Sequence, residues 1–223
     1  MSGKREENKR LTRLSILDAA RMLFIRKGFE LTRIEDLARQ AEIGKGTVYS
    51  YFSSKEQILI ELIGEERQKL VGRFEQRNDD NAPVSEQILT LFLCQFNYAQ
   101  EHREISRIMF RESLFPVKPS IHQRHQVDNT YLNAVVALVR LGQQRGEINV
   151  HCDPLSTAII FYNHYTMAIS AWYMGYIETE HMITNLRHLI ETAIHGLQRS
   201  SNEPTTVQPL KLARLSAAPL ESS

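Results

Sequence analysis

Residues 32–52 read TRIEDLARQAEIGKGTVYSYF, a pattern of two short helices joined by a tight connection. Apolar side chains recur at helical spacing in both halves of this segment, at Ile34, Leu37, Ala38, Ala41, Val48 and Phe52. We predict helices over 33–41 and 45–51, with a capping box formed by Thr32 and Glu35 at the start of the first. Two helices separated by three residues are a candidate helix-turn-helix motif.

The second of these helices has a surface suited to an anionic partner. Its predicted outward positions are Lys45, Gly46, Thr47, Tyr49, Ser50 and Tyr51. None of them is acidic, and several donate hydrogen bonds of the kind that phosphates and base edges accept. Gly46 removes side-chain bulk where a helix would press against a duplex. The pattern favours nucleic-acid recognition over its alternative, a plain three-helix subdomain with exposed lysine and tyrosine.

Longer helices are predicted on both sides of the motif. The helix before it has an apolar stripe at Ile16, Leu17, Ala20, Leu23 and Phe24. Gly28 stands where a left-handed C-cap is expected. Ser53 and Glu56 form a second capping box, which opens the helix that follows. Residues 1–10 are interpreted as a flexible basic arm, either solvated or placed in a minor groove. The cations of this arm are Lys4, Arg5, Lys9 and Arg10.

The composition is that of an ordinary soluble globular chain of 223 residues, with 42% apolar residues and net charge +1. The charge is uneven: residues 1–56 hold 12 Lys+Arg and 8 Asp+Glu, which gives +4, and residues 57–223 hold 15 and 18, which gives −3. Cys94 and Cys152 are too few and too far apart for a disulfide framework or a thiolate zinc site. The N-terminus lacks the apolar segment of a secretory signal, so we expect a cytoplasmic protein.

The rest of the chain also follows helical periodicity, without strand alternation or repeats. Helices are predicted over 84–101, 104–114, 120–145, 154–177 and 180–199, with a break at 115–119. About nine helices in all define an all-α fold. We divide the chain into an arm, a three-helix head, a helical body and a disordered tail, at 1–10, 11–56, 57–199 and 200–223.

The segment Pro154–Ile177 holds 24 residues without Asp, Glu, Lys or Arg, which is long enough to cross a bilayer. Six polar side chains interrupt it, at Ser156, Thr157, Asn163, His164, Thr166 and Ser170. These favour a helix buried in protein over one in lipid, and we expect no membrane contact. Asp153 and Pro154 predict its N-cap and first turn.

The run from Leu14 to Ile63 resembles the N-terminal domain of the TetR-type transcriptional regulators. The matching segments are Ile16–Ala20, Leu23-Phe24, Gly28-Phe29, Thr32, Ile34, Leu37-Ala38, Lys45–Phe52 and Ser54–Glu56. Two positions depart from the family pattern. Glu42 replaces a glycine in the turn, so it is expected to adopt a positive φ. Gly44 replaces the usual Ser or Thr cap before Lys45.

The resemblance implies a homodimeric, sequence-specific DNA-binding regulator, most often a repressor released from a pseudo-palindromic operator by a ligand. It implies phosphate contacts by Thr32, Tyr49 and Lys55. Lys45, Gly46, Thr47, Ser50 and Tyr51 would lie in or beside the major groove. Arg33 would reach a phosphate or a base.

The body is implied to bind a ligand and to dimerise. Several of its helices carry aromatic residues together with polar groups, a combination that suits a cavity for a small apolar or aromatic effector. We expect contacts from Phe92, Phe96, Asn163 and Met167. The helices at 154–177 and 180–199 would form the dimer interface as a four-helix bundle. His181, His188 and His195 recur on one face without a complete ligand set, so neither a metal nor a cofactor is expected.

Three other functions stay open at this point. In the first, the chain is a TetR-like DNA-binding protein whose body docks a protein partner instead of a small ligand. In the second, it binds DNA without regard to sequence. A helical enzyme is the third possibility, but no nucleophile elbow, P-loop, metalloprotease or dinucleotide motif occurs. We therefore expect no catalytic residue.

Overall fold

The computed structural model describes residues 2–114 and 121–197, with side chains for 3–111, 114 and 131–197. These residues form nine α-helices and one short 3-10 helix, and no strand occurs among them. The all-α prediction is confirmed. The helices are α1 Ser2–Lys27, α2 Ile34–Gln40, α3 Lys45–Tyr51, α4 Lys55–Arg77, α5 Val84–Glu101, α6 Arg103–Leu114, α7 Ile121–Gln144, α8 Pro154–Tyr173 and α9 Met182–Leu197, with the 3-10 turn at Thr179–His181. The predicted break at 115–119 and the tail from 200 lie outside the described residues.

The chain divides into two compact units. Unit 1 contains Met1–Arg73 and Cys94–Asp128, and unit 2 contains Phe74–Leu93 and Asn129–Ser223. The predicted head ended at residue 56, whereas unit 1 includes most of α4. The reason is that α4 shares the head's apolar core through Ile58, Leu59, Leu62, Ile63 and Leu70.

One apolar core holds unit 1 together. Its largest fully buried side chains include Phe24 of α1 and Phe52, the residue that follows α3. Phe24 meets Phe29 edge-to-face, with ring centroids 5.2 Å apart. Tyr98, Ile105, Ile108 and Met109 of α5 and α6 complete the same core. Burying each such side chain stabilises the fold by about 1.5–3 kcal/mol, so the recognition motif rests on a firmly packed support.

Helix α1 begins at Ser2, so residues 2–10 are helical where the sequence analysis predicts a flexible arm. The segment Lys4–Arg10 consists mostly of good helix formers, and Glu7 pairs with Arg10 one turn later at 2.7 Å. The other end of α1 is as predicted. Gly28 has φ +81° and its amide donates to the Phe24 carbonyl, which closes the helix.

Both predicted capping boxes are corrected by the structure. Thr32 does not cap α2, because its hydroxyl donates to the Gly28 carbonyl at 2.8 Å. Arg33 is the N-cap, and the Asp36 carboxylate accepts its backbone N–H at 3.2 Å. At α4 the cap moves by one residue, from Ser53 and Glu56 to Ser54 and Gln57. The Ser54 hydroxyl accepts the Gln57 N–H, and the Gln57 side chain accepts the Ser53 N–H.

Unit 2 is built around α8 and α9, which pack against each other. The Asp153 carboxylate caps α8 by accepting the Ser156 N–H at 2.9 Å, and that hydrogen bond and the Ser156 hydroxyl lower the pKa of Asp153. The buried face of α8 contains Thr157, Ala158, Phe161, Tyr165, Ala168, Ile169 and Trp172, and that of α9 contains Met182, Leu186, Ile190 and Ile194. No helix in the described part of the chain is long and apolar enough to cross a membrane.

Candidate nucleic-acid interface

Helix α3 is held in place by one face and presents the other to solvent. Val48 is fully buried in the unit 1 core, and Phe52 anchors the end of the helix. Lys45, Gly46, Tyr49 and Ser50 are exposed, and Thr47 and Tyr51 are half-buried. Tyr51 also packs on the apolar core, so only part of its ring can reach a ligand. The predicted outward face is thus present.

The chain changes direction between α2 and α3 at Glu42, whose φ is +56°. This is the one non-glycine residue with a positive φ among the described residues, as the sequence analysis predicts for this position. After this turn the Ile43 amide donates to the Ala38 carbonyl at 2.9 Å, which ends α2. Ile43 packs on the core, and α3 starts two residues later at Lys45.

An ion pair joins the two helices of the motif across their exposed side. The Lys45 ammonium donates to the Glu35 carboxylate at 2.5 Å and lies 5.9 Å from the centroid of the Tyr49 ring. The hydrogen bond from Lys45 lowers the pKa of Glu35, and the hydrogen bond to Glu35 raises the pKa of Lys45. Lys45 is therefore charged but already has an anionic partner, which a phosphate would have to replace.

Replacing Glu35 with Gln is expected to strengthen DNA binding by about two- to fivefold, because the exposed pair is weak and its loss frees Lys45 for a phosphate. The slope of log K against log salt should steepen by about one. Fluorescence anisotropy titrations at several salt concentrations measure both quantities. Unchanged affinity and slope in Glu35→Gln would show that Lys45 does not reach a phosphate.

Two residues that are predicted to contact phosphates, Thr32 and Lys55, form hydrogen bonds within the protein. Thr32 is 1% exposed, and its hydroxyl is bonded to the Gly28 carbonyl. The Lys55 ammonium donates to the carbonyls of Phe29 and Thr32 at 2.7 and 3.0 Å, and to that of Glu30 at 3.2 Å. It also lies 4.3 Å from the centroid of the Phe29 ring. The side chains of Thr32 and Lys55 therefore shape the loop before α2, whereas Arg33 at its end is exposed.

Gly46 occupies open space in α3. A Cβ atom built on it meets no protein atom within 4 Å. Packing inside the protein therefore does not require a glycine here. The open space leaves room for an external surface to approach the backbone of α3 closely.

Arg13, which fixes the far end of α3, was not predicted as a functional residue. Its guanidinium lies 4.7 Å from the centroid of the Phe52 ring and forms a bidentate ion pair with Glu61 of α4. The two partners are 48 residues apart, so no local pattern could have revealed the pair.

A second missed feature is a buried carboxylate in unit 1. Glu66 of α4 is 1% exposed and accepts hydrogen bonds from Arg21 of α1, Lys69 and Tyr98 of α5. Burial raises the pKa of Glu66, but the hydrogen bonds from Tyr98, Lys69 and Arg21 together hold it below its ordinary value. Burial and the bond to Glu66 raise the pKa of Tyr98. Glu66 thus links α1, α4 and α5.

The four predicted effector contacts do not share one environment. Phe92 and Phe96 are buried, whereas Asn163 is exposed and Met167 is 67% exposed. Within a protomer, Asn163 and Met167 lie on the outer face of α8, away from its buried face. Both are surface positions in the protomer, and their contact with an effector stays a prediction.

An aromatic cluster occupies the interior of unit 2. Phe92 stacks on Tyr165 with ring centroids 5.0 Å apart, and Tyr162 lies 6.5 Å from Tyr165 and 5.9 Å from Tyr131. Beside Tyr165, the hydroxyl of Thr166 is buried without a hydrogen-bond partner. Apolar surface next to an unsatisfied hydroxyl is a composition that ligand sites share.

The histidine stripe of the sequence analysis is on the surface. His181, His188 and His195 are all exposed on or beside α9, and the Nδ1 of His195 lies 2.8 Å from the Glu191 carbonyl. Nowhere in the described ranges do three His, Cys, Asp or Glu side chains come together as a metal site would require.

A buried support, a four-residue connection and an outward-facing helix without acidic side chains define a helix-turn-helix DNA-binding protein. Residues 16–62 match the profile of the family described as "Bacterial regulatory proteins, tetR family". This segment is a TetR-type DNA-binding domain, and the sequence resemblance is confirmed over residues 16–62.

The chain is also similar to named proteins over longer spans. The fatty acid metabolism regulator protein of Bacillus subtilis is 25% identical over 172 residues, which cover 76% of this chain and 87% of that protein. The A-factor receptor protein of Streptomyces griseus is 28% identical over 184 residues, 81% of this chain and 63% of the receptor. The fold is shared with the crystal structure of FadR from Bacillus subtilis in complex with stearoyl-CoA. The TM-score is 0.68 and the identity 21%, and the match covers 83% of this chain and 99% of the FadR chain.

Proposed function

We propose that this protein is a homodimeric repressor that reads a pseudo-palindromic operator with α3 and leaves it when a small apolar or aromatic effector binds. The observation that carries the proposal is the outward face of α3, where exposed Lys45, Tyr49 and Ser50 surround an unobstructed Gly46. Cations and hydroxyl groups bind phosphates and fix register, and groups in the major groove discriminate bases. Arg33, Thr47 and the exposed part of Tyr51 extend this surface.

Selection of bound duplexes from a random pool, at near-physiological salt, tests the proposal. A two-fold dimer should recover an inverted repeat with half-sites about 34–36 Å apart, or a multiple of that distance. Recovery of no motif, with only weak and salt-sensitive binding, would contradict sequence-specific regulation and favour sequence-indifferent binding.

The dimer proposal rests on the outer face of α8. Ile160, Met167 and Met174 recur there at seven-residue spacing and are 40, 67 and 58% exposed. The helix carries no charge, and neighbouring α9 exposes Ile183 at 49%. An exposed apolar stripe on one helix, beside an exposed apolar side chain on its neighbour, is typical of a helical subunit interface.

Replacing Met167 with Arg is expected to convert the dimer into a monomer, because an unpaired cation would be desolvated at the two-fold interface. Light scattering coupled to gel filtration measures the mass. Met22 of α1, which is 56% exposed, provides the matched control, and Met22→Arg should leave the dimer intact. A Met167→Arg protein that remains dimeric would place the interface elsewhere.

We assign the effector to the aromatic cluster of unit 2, formed by Phe92, Tyr131, Tyr162 and Tyr165. Their apolar rings and the unsatisfied Thr166 hydroxyl support this assignment. A relative solved with stearoyl-CoA and one named a fatty acid metabolism regulator support an apolar effector with a polar end. An effector acts by binding the DNA-incompetent state of the dimer more tightly than the competent one.

Titration of the protein–duplex complex with stearoyl-CoA, and with aromatic compounds of different size, tests the effector assignment. Release by one compound should be lost or weakened in Thr166→Val and Phe92→Ala. Release that persists unchanged in both variants would contradict the assignment to this cluster.

A further inference from the structure

One face of the first turns of α1 carries a row of hydrogen-bond donors and no acidic side chain. At 3.6 residues per turn, Lys4, Arg5, Asn8, Lys9 and Thr12 fall within one sector of about 140°. Glu6 and Glu7 lie on the opposite side, where Glu7 pairs with Arg10. Lys4, Arg5 and Lys9 are exposed. The segment is thus a helix with one cationic face.

The contacts of Arg13 place the N-terminal half of α1 beside the end of α3. The Arg13 guanidinium lies 4.7 Å from the centroid of the ring of Phe52, the residue that follows α3, and it pairs with Glu61 of α4. Residues 2–12 extend about 16 Å beyond Arg13.

The direction of the cationic face follows from the core residues of α1. Lys9 and Ile16 are seven residues apart, and Arg5 and Ile16 are eleven apart, so all three lie within about 20° of one line along the helix. Ile16 is fully buried against the core that supports α3. Arg5 and Lys9 therefore project to the side on which the helix-turn-helix motif lies.

We propose that Lys4, Arg5 and Lys9 form a second DNA-binding surface that contacts phosphates outside the half-site, as a rigid helix face and not as an arm threaded into the minor groove. Charge complementarity and the contact of Arg13 with Phe52 at the end of α3 carry this inference, which rests on the proposed DNA-binding function. A fixed row of cations would lengthen the footprint and add affinity that does not depend on sequence.

The test compares two forms of the duplex recovered by selection, one limited to the half-sites and one extended at each side by about one helical turn, 10 base pairs. Wild-type protein should bind the extended duplex about tenfold more tightly. Lys4→Gln/Arg5→Gln/Lys9→Gln should lose this preference, and its salt slope on the extended duplex should be shallower by about two to three. Arg77→Gln/Arg107→Gln/Arg140→Gln changes the net charge equally and should keep the preference.

An inserted alanine distinguishes a helix face from an arm. Insertion after Arg10 rotates residues 2–10 by about 100° and should abolish the preference for the extended duplex, whereas insertion before Lys4 should preserve it. A wild-type protein without the preference, or a preference that survives the insertion after Arg10, would overturn the proposal. A wild-type protein that selects no duplex at all would instead contradict the proposed function.

Discussion

Replacing Gly46 with Ala is expected to stabilise the protein and to weaken its binding to DNA. The added Cβ meets no protein atom within 4 Å, so the helix should gain about 1 kcal/mol from the better propensity of alanine. The same methyl group would stand between α3 and the groove. We expect operator affinity to fall about 10- to 100-fold, the range of a lost base contact. Thermal unfolding and anisotropy titration measure the two opposite changes.

Gly72 of α4 provides the matched control. It lies inside a helix of the same unit, and a Cβ there also meets nothing within 4 Å. Gly72→Ala should raise stability by a similar amount and leave DNA affinity unchanged. Equal operator affinity for Gly46→Ala and wild-type protein would show that this turn of α3 does not approach DNA.

Replacing Glu66 with Ala is expected to destabilise unit 1 by about 3–5 kcal/mol, the usual effect of removing one partner of a buried ion pair. Arg21 and the Tyr98 hydroxyl would both lose their acceptor. Urea denaturation measures the free energy of unfolding. Glu65→Ala is the control: Glu65 precedes Glu66, is more exposed and meets Arg21 only at 3.8 Å, so its loss should have a small effect. Equal stability of both variants would contradict the linking role of Glu66.

The stability contributed by Glu66 should also depend on pH. Its pKa in the folded state is held below the ordinary glutamate value of 4.5. The contribution is therefore fully present above that value and is lost as the pH falls through the folded-state pKa. The difference in unfolding free energy between wild type and Glu66→Gln should shrink below pH 4.5. Tyr98→Phe, which keeps the ring and removes about 1 kcal/mol of hydrogen bonding, reports on the same link if Glu66→Ala does not fold.

Local patterns predicted what depends on local chemistry. Apolar periodicity located α2 and α3 within one or two residues, because each has a single buried face built around Leu37 or Val48. Gly28 and Asp153 marked a helix end and a helix start through the backbone geometry and hydrogen bonds that their residue types favour.

Contacts between distant residues were beyond the reach of such patterns. Lysine is a residue type that binds phosphates, and the family resemblance implies a phosphate contact for Lys55. Its hydrogen bonds to the carbonyls of Phe29 and Thr32 join residues more than 20 positions apart, so they are visible only in the fold. The side of α8 that carries Asn163 and Met167 was undecided in the sequence for another reason. Helix α8 is apolar around most of its circumference, so periodicity does not indicate which side faces the interior.

The ability of α3 to discriminate sequence is tested by one ratio: the affinity for the selected duplex divided by that for an unrelated duplex at the same salt. Wild-type protein should show a ratio of about 10³ or more. In Thr47→Ala/Ser50→Ala this ratio should fall at least about tenfold, while affinity for the unrelated duplex changes little. A ratio near one for wild-type protein, or an unchanged ratio in the double variant, would contradict base recognition by this helix.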